Sequence, residues 1–364
     1  MPKTEELVAN PYRFEGGTKE AQDFFEGGML KTFKQINTYV RNDVPVSVYY
    51  AYKQSDSDEN DFTASTGWET MLSAIIKAGF SINGTWPVRT EMANRSIGID
   101  ANALASSIIL VCRKRPLDAP TTSLYNFINT LKRELKPALQ KLQVSNIAPV
   151  DLAQSAIGPG MGVYSRFSKV LEADGTPMSV RSALQIINQE LDLYFTEQDS
   201  ELDRDSRFCV DLYTQYAFND VKFGEADVLA RAKNTSVEKL ATLGVLYAQR
   251  GVVRLLTREE IPDKIYNRDK FIWLLTQRLT HAFEKDGVVG AATIISDILT
   301  SEPEQAKALA YRLFQIAERK GWAQEAYAYN SLVIAWPEVQ SKAAELQSQR
   351  KSGKQAAMFD VQNH

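Results

Sequence analysis

The chain has 364 residues, 44% of them hydrophobic and 24% charged, with a formal net charge of −3. That length favours two or three domains over a single core, and the small net charge excludes a global field that would draw the whole molecule onto nucleic acid or membrane, so any such binding needs a local patch. Two cysteines (Cys112, Cys209) and two histidines (His281, His364) fit a reducing compartment and argue against a metal cluster, a zinc site or an imidazole triad.

The stretch VANPYRFEGG (8–17) contains Asn10-Pro11-Tyr12. Enzymes that methylate exocyclic amines grip the target base with a similar tetrapeptide, Asp/Asn/Ser-Pro-Pro-Tyr/Phe, placed at the end of a buried strand. Here the second proline is missing, Arg13 follows Tyr12, and the preceding TEELVA reads as helix or coil. The residues themselves suggest a turn between two helices, with Tyr12 and Phe14 packed inward. The beginning of the chain is acidic and polar with no export signal, and the longest apolar run, ALASSIILVC, is about half of what a bilayer span requires. The expected location is the cytoplasm, with no membrane partner.

A helix is expected over 19–40, with Phe24, Phe25, Leu30, Phe33 and Ile36 on a roughly helical stripe. PVSVYYAYK (45–53) reads as a strand, and the acidic SDSDEND (55–61) as a solvated loop. GWETMLSAIIKAGF (67–80) reads as a helix burying Trp68, Leu72, Ile75 and Ile76, capped by Thr66 and stopped by Gly79. Residues 81–91 and 105–115 read as two more strands joined by a polar loop in which Asn94, Arg95 and Asn102 are weak ligand candidates. The unbroken SIILVC predicts burial on both faces.

RPLDAPTTS (115–123) is a predicted linker. A helix follows over 124–142, which Pro137 is expected to end or kink. The glycine-rich AIGPGMGVYSRF is not followed by the Gly-Lys-Ser/Thr of a phosphate loop, nor preceded by the hydrophobic strand of a dinucleotide or S-adenosylmethionine loop. A tight turn, or close packing of backbone on backbone, is the better reading. KVLEADGTPMSV suggests a hairpin around Asp174-Gly175, and 179–195 a further helix.

Over 227–258 two short helices separated by Asn234-Thr235 precede an alternating segment around Arg250-Gly251. Helix, turn, helix, hairpin is the order of a winged-helix-like module. Arg231, Lys233, Lys239, Arg250, Arg254 and Arg258 face only Asp227 and Glu238 there, a local +4. Arg231, Lys233, Lys239, Arg250 and Arg254 are therefore the candidate contacts to double-stranded DNA. Three more helices are expected from Phe271, the last two meeting at Lys320-Gly321-Trp322, and the polar tail from Gln340 is expected to fray. Trp68, Trp86, Trp273, Trp322 and Trp336 read as core or interface residues, with Trp86 the weakest case. These textures divide the chain at 1–115, 116–222, 223–260, 261–338 and 339–364.

The order strand (45–53), helix (67–80), strand (81–88), strand (105–113) is that in which a Rossmann-like methyltransferase sheet finishes, with a fifth strand and its helix followed by an antiparallel sixth–seventh pair. The wording ELVANPYRF, VYYAYKQS, ASTGWETML, AGFSINGTWPVRTE and NALASSIILVCRKR resembles the late catalytic region of large bacterial adenine-specific DNA methylases, many of which lie in anti-phage gene clusters. The likeness runs on through NIAPVDLAQSAIGPGM, YSRFSKVLEADGTPMSVRSAL, LARAKNTSVEKL and AYRLFQIAERKGWAQEAYAYN, from about residue 5 to 337.

In that family ELVANPYRF-like wording lies just downstream of the true Asp-Pro-Pro-Tyr motif, so the resemblance makes Asn10-Pro11-Tyr12 a look-alike. It implies the C-terminal half of a methylase: an α/β fold holding the closing strands of the catalytic sheet, then a mainly α region with the winged-helix-like module. The methyl donor S-adenosylmethionine would bind only with the missing N-terminal half, which becomes a partner, and no metal carries over. Lys53, Ser65, Thr66, Trp68, Glu69, Trp86, Arg89 and Arg95 would border the active cleft, none with an assigned role, and no catalytic residue is implied. Two other readings stand beside it: a non-catalytic DNA-binding or assembly subunit of an anti-phage defence system, and a permuted methylase using Asn10-Pro11-Tyr12 and Gly158–Gly162 in reversed order.

Overall fold

SIILVC lies in the middle strand of a three-stranded sheet. The computed structural model describes residues 6–8, 11–51, 66–88, 107–261, 271–298 and 300–361 of a mixed α/β chain, mostly helical. It forms two compact units, one drawn from residues up to 88 with 107–144 and 151–194, the other from 145–150 and 195 onward. This grouping is coarser than the five stretches suggested by texture, and it divides the 116–222 stretch. No helix among the described residues is long and apolar enough to cross a membrane.

In the first unit a short 3-10 turn over Pro11–Arg13 leads into helix α1 (Gly17–Tyr39). Phe14 packs on Phe24 with ring centroids 5.2 Å apart. Tyr12, expected inside, is 98% exposed, and Asn10 lies outside the described residues. Strands β1 (Val46–Ala51), β2 (Phe80–Val88) and β3 (Ser107–Lys114) pair in the order β1-β3-β2, with β3 antiparallel to both neighbours. Helix α2 (Thr66–Lys77) connects β1 to β2, and Gly79 ends the turn after it at φ +91°, a conformation open to glycine.

One face of the sheet is closed: Ile82, Thr85, Ile108, Leu110 and Cys112 are buried, and Trp68 of α2 stacks on Tyr50 at 5.8 Å. Burial pushes the Cys112 thiol up to about 12, so it is packing material rather than a nucleophile. The other face departs from expectation. Tyr49, Ile109 and Trp86 stand in register across the three strands. Tyr49 is 71% and Trp86 58% exposed, while Ile109 and Val111 are half-buried. SIILVC is thus covered on one face only by the described residues.

The glycine-rich stretch proves to be helical. Helix α4 (Pro149–Ser165) runs straight through Gly158, Pro159, Gly160 and Gly162. A Cβ at Gly158 would stand 2.5 Å from the Thr85 amide nitrogen, one at Gly160 2.7 Å from Ile187, and one at Gly162 3.1 Å from the Ile82 carbonyl. Gly158 and Gly162 therefore let α4 lie against β2 backbone to backbone, while Gly160 makes room for the Ile187 side chain. Pro159 has no N–H for the Ser155 carbonyl, and the Thr85 hydroxyl donates there instead at 3.0 Å while accepting from the Gly158 amide at 3.1 Å. At the far end of α4 the Ile82 amide donates to the Ser165 hydroxyl at 2.8 Å.

Helix α3 (Leu124–Val144) likewise continues through Pro137, because its buried stripe of Phe127, Leu131, Leu135 and Leu139 spans the proline. The predicted linker ends in β4 (Thr121–Ser123), which pairs in parallel with β5 (Lys169–Leu171). The Asp174-Gly175 turn follows, with Leu171 bridging Pro177. Helix α5 (Val180–Glu201) carries the chain into the second unit.

That unit holds α6 (Arg204–Tyr216), a small sheet with two short helices, and then α9 (Ile272–Ser296), α10 (Glu302–Arg319), α11 (Ala323–Ile334) and α12 (Trp336–Val361). Trp273, Tyr311, Phe314, Tyr329 and Trp336 are fully buried. Four helices follow Phe271 where three were expected. The polar tail from Gln340 is part of the fourth, anchored by the Trp336 indole N–H donating to Glu304 at 3.1 Å. Helix α9 bends at Gly287, whose φ of 60° and ψ of −146° suit glycine alone.

Gly158→Ala should lower stability by about 2 kcal/mol, the crowding against Thr85 outweighing the better helix propensity of alanine. Gly27→Ala, in α1 with open space around its Cβ, should instead raise stability by about 0.5 kcal/mol. Urea midpoints of the two variants test the contrast.

Candidate nucleic-acid interface

The segment 221–255 builds its module from short-range turn chemistry. After β6 (Val221–Lys222) come helices α7 (Phe223–Ala232) and α8 (Val237–Thr242), then β7 (Leu246–Gln249) and β8 (Val252–Leu255). Asn234 takes a left-handed conformation at φ +56° between the helices. The Ser236 hydroxyl caps α8 by accepting from the Lys239 amide at 3.1 Å. The β7–β8 hairpin turns on Arg250 and Gly251, both at positive φ (53° and 79°), as a two-residue turn of matching twist requires. The three strands order as β6-β8-β7, and Ala226, Ala230, Val237, Leu240, Val245, Leu246, Val253 and Leu255 form a buried core beneath them. The predicted succession of helix, turn, helix and hairpin is present.

The five candidate DNA contacts fare unequally. Arg231 is 78% exposed and pairs with Asp227 at 2.8 Å. Lys239 is 56% exposed and pairs with Asp205 at 2.6 Å. Lys233 is only about a third exposed, and holds Asp211 on α6 at 2.8 Å. Arg254 lies over the Tyr247 ring at 5.2 Å and makes a two-pronged contact to Glu260 at 2.6 and 2.7 Å. Arg250, at the hairpin tip, is exposed and has no carboxylate within ion-pair distance among the described residues. The sequence reading counted Asp227 but missed the other partners, because Asp205, Asp211 and Glu260 lie outside the 227–258 window. Across 203–260 nine acidic residues balance nine basic ones.

Arg258, the sixth cation, is structural. Its guanidinium side chain is 10% exposed. It donates to both oxygens of Glu325 at 3.0 and 2.5 Å and to Gln277 at 3.1 Å, and lies 4.9 Å from the Tyr329 ring centre. Glu284 stands 3.6 Å away. Glu325 also accepts from the Tyr213 hydroxyl at 3.2 Å, and Tyr329 is held by the Gln277 amide at 3.0 Å. One arginine thereby ties the strand leaving the hairpin to α6, α9 and α11. Asp203 performs a similar service at the head of α6, accepting from the Ser206 and Ile272 amides at 2.8 and 3.2 Å.

The residues expected to border a cleft in the first unit are less informative. Lys53, Ser65, Arg89 and Arg95 lie outside the described residues, as does the side chain of Thr66. Trp68 is 3% exposed, packed on Tyr50 of the sheet. Glu69 pairs with Arg181 at 2.8 Å. Trp86 alone presents a broad surface, beside Ile109 and Tyr49. Among the described residues no group of three His, Cys, Asp or Glu side chains is placed to hold a metal ion.

Two outcomes follow from the ion pairs. The Arg254 fork, helped by the Thr257 amide and hydroxyl, holds the Glu260 carboxyl at about 2 against an ordinary 4.5, so the support it gives the hairpin is present above the ordinary carboxylate range and is lost as pH falls through about 2. A side-chain carbon NMR titration should place the Glu260 midpoint there, and Arg254→Ala should raise it, though not fully to the ordinary value because the Thr257 amide and hydroxyl still donate to it. Glu325→Gln, which removes the two-pronged partner of the buried Arg258 and leaves it only the more distant Glu284, should cost about 3 kcal/mol in a urea melt.

A model of a domain family of unknown function (DUF8807) matches residues 203–358, a stretch that opens at the Asp203 cap of α6 and takes in the module and the helices after it. No curated protein and no solved structure matches the chain.

Proposed function

We propose that this chain is the C-terminal portion of an S-adenosylmethionine-dependent DNA adenine N6-methyltransferase of the cytoplasm, completed by a second polypeptide segment that supplies the donor pocket and the amine-gripping motif. The observation that carries the reading is the strand order. β1 and β2 run parallel with β3 inserted antiparallel between them, the arrangement with which a Rossmann-like methyltransferase sheet closes. The α2 crossover between the two parallel strands agrees with it.

The unpaired side of β1 points the same way. Among the described residues no strand pairs with the outer edge of Val46–Ala51, and an edge of this length flanked by exposed Tyr49 is normally covered. In the methylases that the wording resembles, the Pro-Pro motif sits at the end of a buried strand upstream of ELVANPYRF. The outer edge of β1 is the place in this sheet where that strand would add. Residues Gly158–Gly162 do not fit a donor loop, because they lie inside α4, with Gly158 and Gly162 packed on β2 and Gly160 on Ile187.

The module of the second unit is read as a winged helix facing duplex DNA. Its β6-α7-α8-β7-β8 order supports this, as does the exposed Arg250 at the hairpin tip. A second reading, a non-catalytic DNA-binding or assembly subunit of an anti-phage system, draws on the family match, which covers the module and helices but not the sheet.

The full chain mixed with the upstream methylase half, S-adenosylmethionine and duplex DNA should yield N6-methyladenine. No product, under conditions where the joined enzyme works, counts against the split enzyme and leaves the subunit reading. Arg250→Asn, which relieves an unfavourable left-handed arginine by up to about 1 kcal/mol, should leave the fold intact and reduce duplex affinity with a salt slope shallower by about one. Unchanged affinity and slope remove DNA from the hairpin tip.

A further inference from the structure

Four of the five candidate DNA-contacting cations are already held by carboxylates. Two of these pairs lie at the surface. Lys239 on α8 is bound to Asp205, itself 17% exposed and fixed by the Thr235 hydroxyl at 2.6 Å. Arg231 at the end of α7 is bound to Asp227, 21% exposed, one helical turn earlier. In each pair the cation is the exposed member and the acid the half-buried one. The geometry offers the cation to solvent but seats beneath it a charge that competes with phosphate. The balance of nine acids and nine bases over 203–260 has the same effect on the long-range field, because the module has little net attraction for a polyanion.

We propose that Asp205 and Asp227 are specificity-setting residues: each holds its cation against indiscriminate phosphate contact, so that the module grips duplex DNA only where Arg250 and base-edge contacts add enough to displace the internal pair. This rests on the reading of the module as a DNA-binding element and names what restrains it. Exposed ion pairs are individually weak. A phosphate can therefore replace the carboxylate, but the exchange releases fewer counterions than binding to an unpaired lysine or arginine. The restraint falls on non-specific affinity, which is built almost wholly from such exchanges.

The test measures binding of the full-length protein to mixed-sequence duplex DNA across a salt series. Asp205→Asn and Asp227→Asn should each raise affinity about threefold at low salt and steepen the salt slope by roughly one. Lys239→Gln added to Asp205→Asn should abolish that gain. Glu238→Gln is the control: it removes a carboxylate from the same short helix, and Glu238 makes no ion pair among the described residues. An equal gain from Glu238→Gln shows a bulk charge effect and overturns the proposal, as does wild-type affinity in both aspartate variants with an unchanged melting temperature. If the wild type, both aspartate variants and Arg250→Asn all fail to bind duplex, the DNA reading itself falls. If Asp205→Asn unfolds through loss of the Thr235 bond, Asp227→Asn decides alone.

Discussion

The second unit depends on one buried guanidinium. Arg258 leaves the hairpin and reaches into the helices, where Glu325, Gln277 and the Tyr329 ring receive it together. A charge taken out of water is costly unless its partners are complete, and here both forks of the arginine are occupied. The strand that carries the hairpin thus cannot drift relative to α9 and α11 without exposing an uncompensated charge. The Asp203 cap fixes the head of α6 to the start of α9 by the same logic. Between these two fastenings the short helices α7 and α8, too short to be stable alone, acquire a defined position.

The first unit solves a different problem, that of pressing a helix onto a strand at contact distance. Two glycines, Gly158 and Gly162, remove the side chains that would intervene, and Pro159 gives up a helix hydrogen bond that Thr85 restores from the sheet. Hydroxyl, proline and glycines form one device. Together with Trp68 of α2 it closes one face of the sheet, while Tyr49 and Trp86 on the opposite face are exposed.

Much of this was legible beforehand. The elements from α1 to β3 follow from apolar spacing, and the hairpin from Arg250-Gly251, because period and turn chemistry are local. The packing role of the glycine-rich stretch was readable as well, though not its helicity: the stretch is helical because Thr85, over seventy residues away in sequence, replaces a missing donor. Pro137 does not end its helix for a related reason, since a long buried stripe outweighs one lost hydrogen bond. At the candidate interface the basic residues were visible, but their neutralisation was not. Asp205 and Asp211 belong to α6, and pairing across elements leaves no periodic trace. Tyr12 was expected inside on the strength of its aromatic ring but is exposed, whereas Phe14 packs on Phe24.

The outer side of β1 has a bearing on how much of this protein a cell can safely make. A strand with unsatisfied backbone groups bonds to whatever strand it meets, and at high concentration the commonest strand available is another copy of itself. Among the described residues the outer flank of β1 carries no neighbouring strand, so a high local concentration would favour chain-to-chain stacking there. Dilution, or any segment that lies along that flank, is the physical remedy.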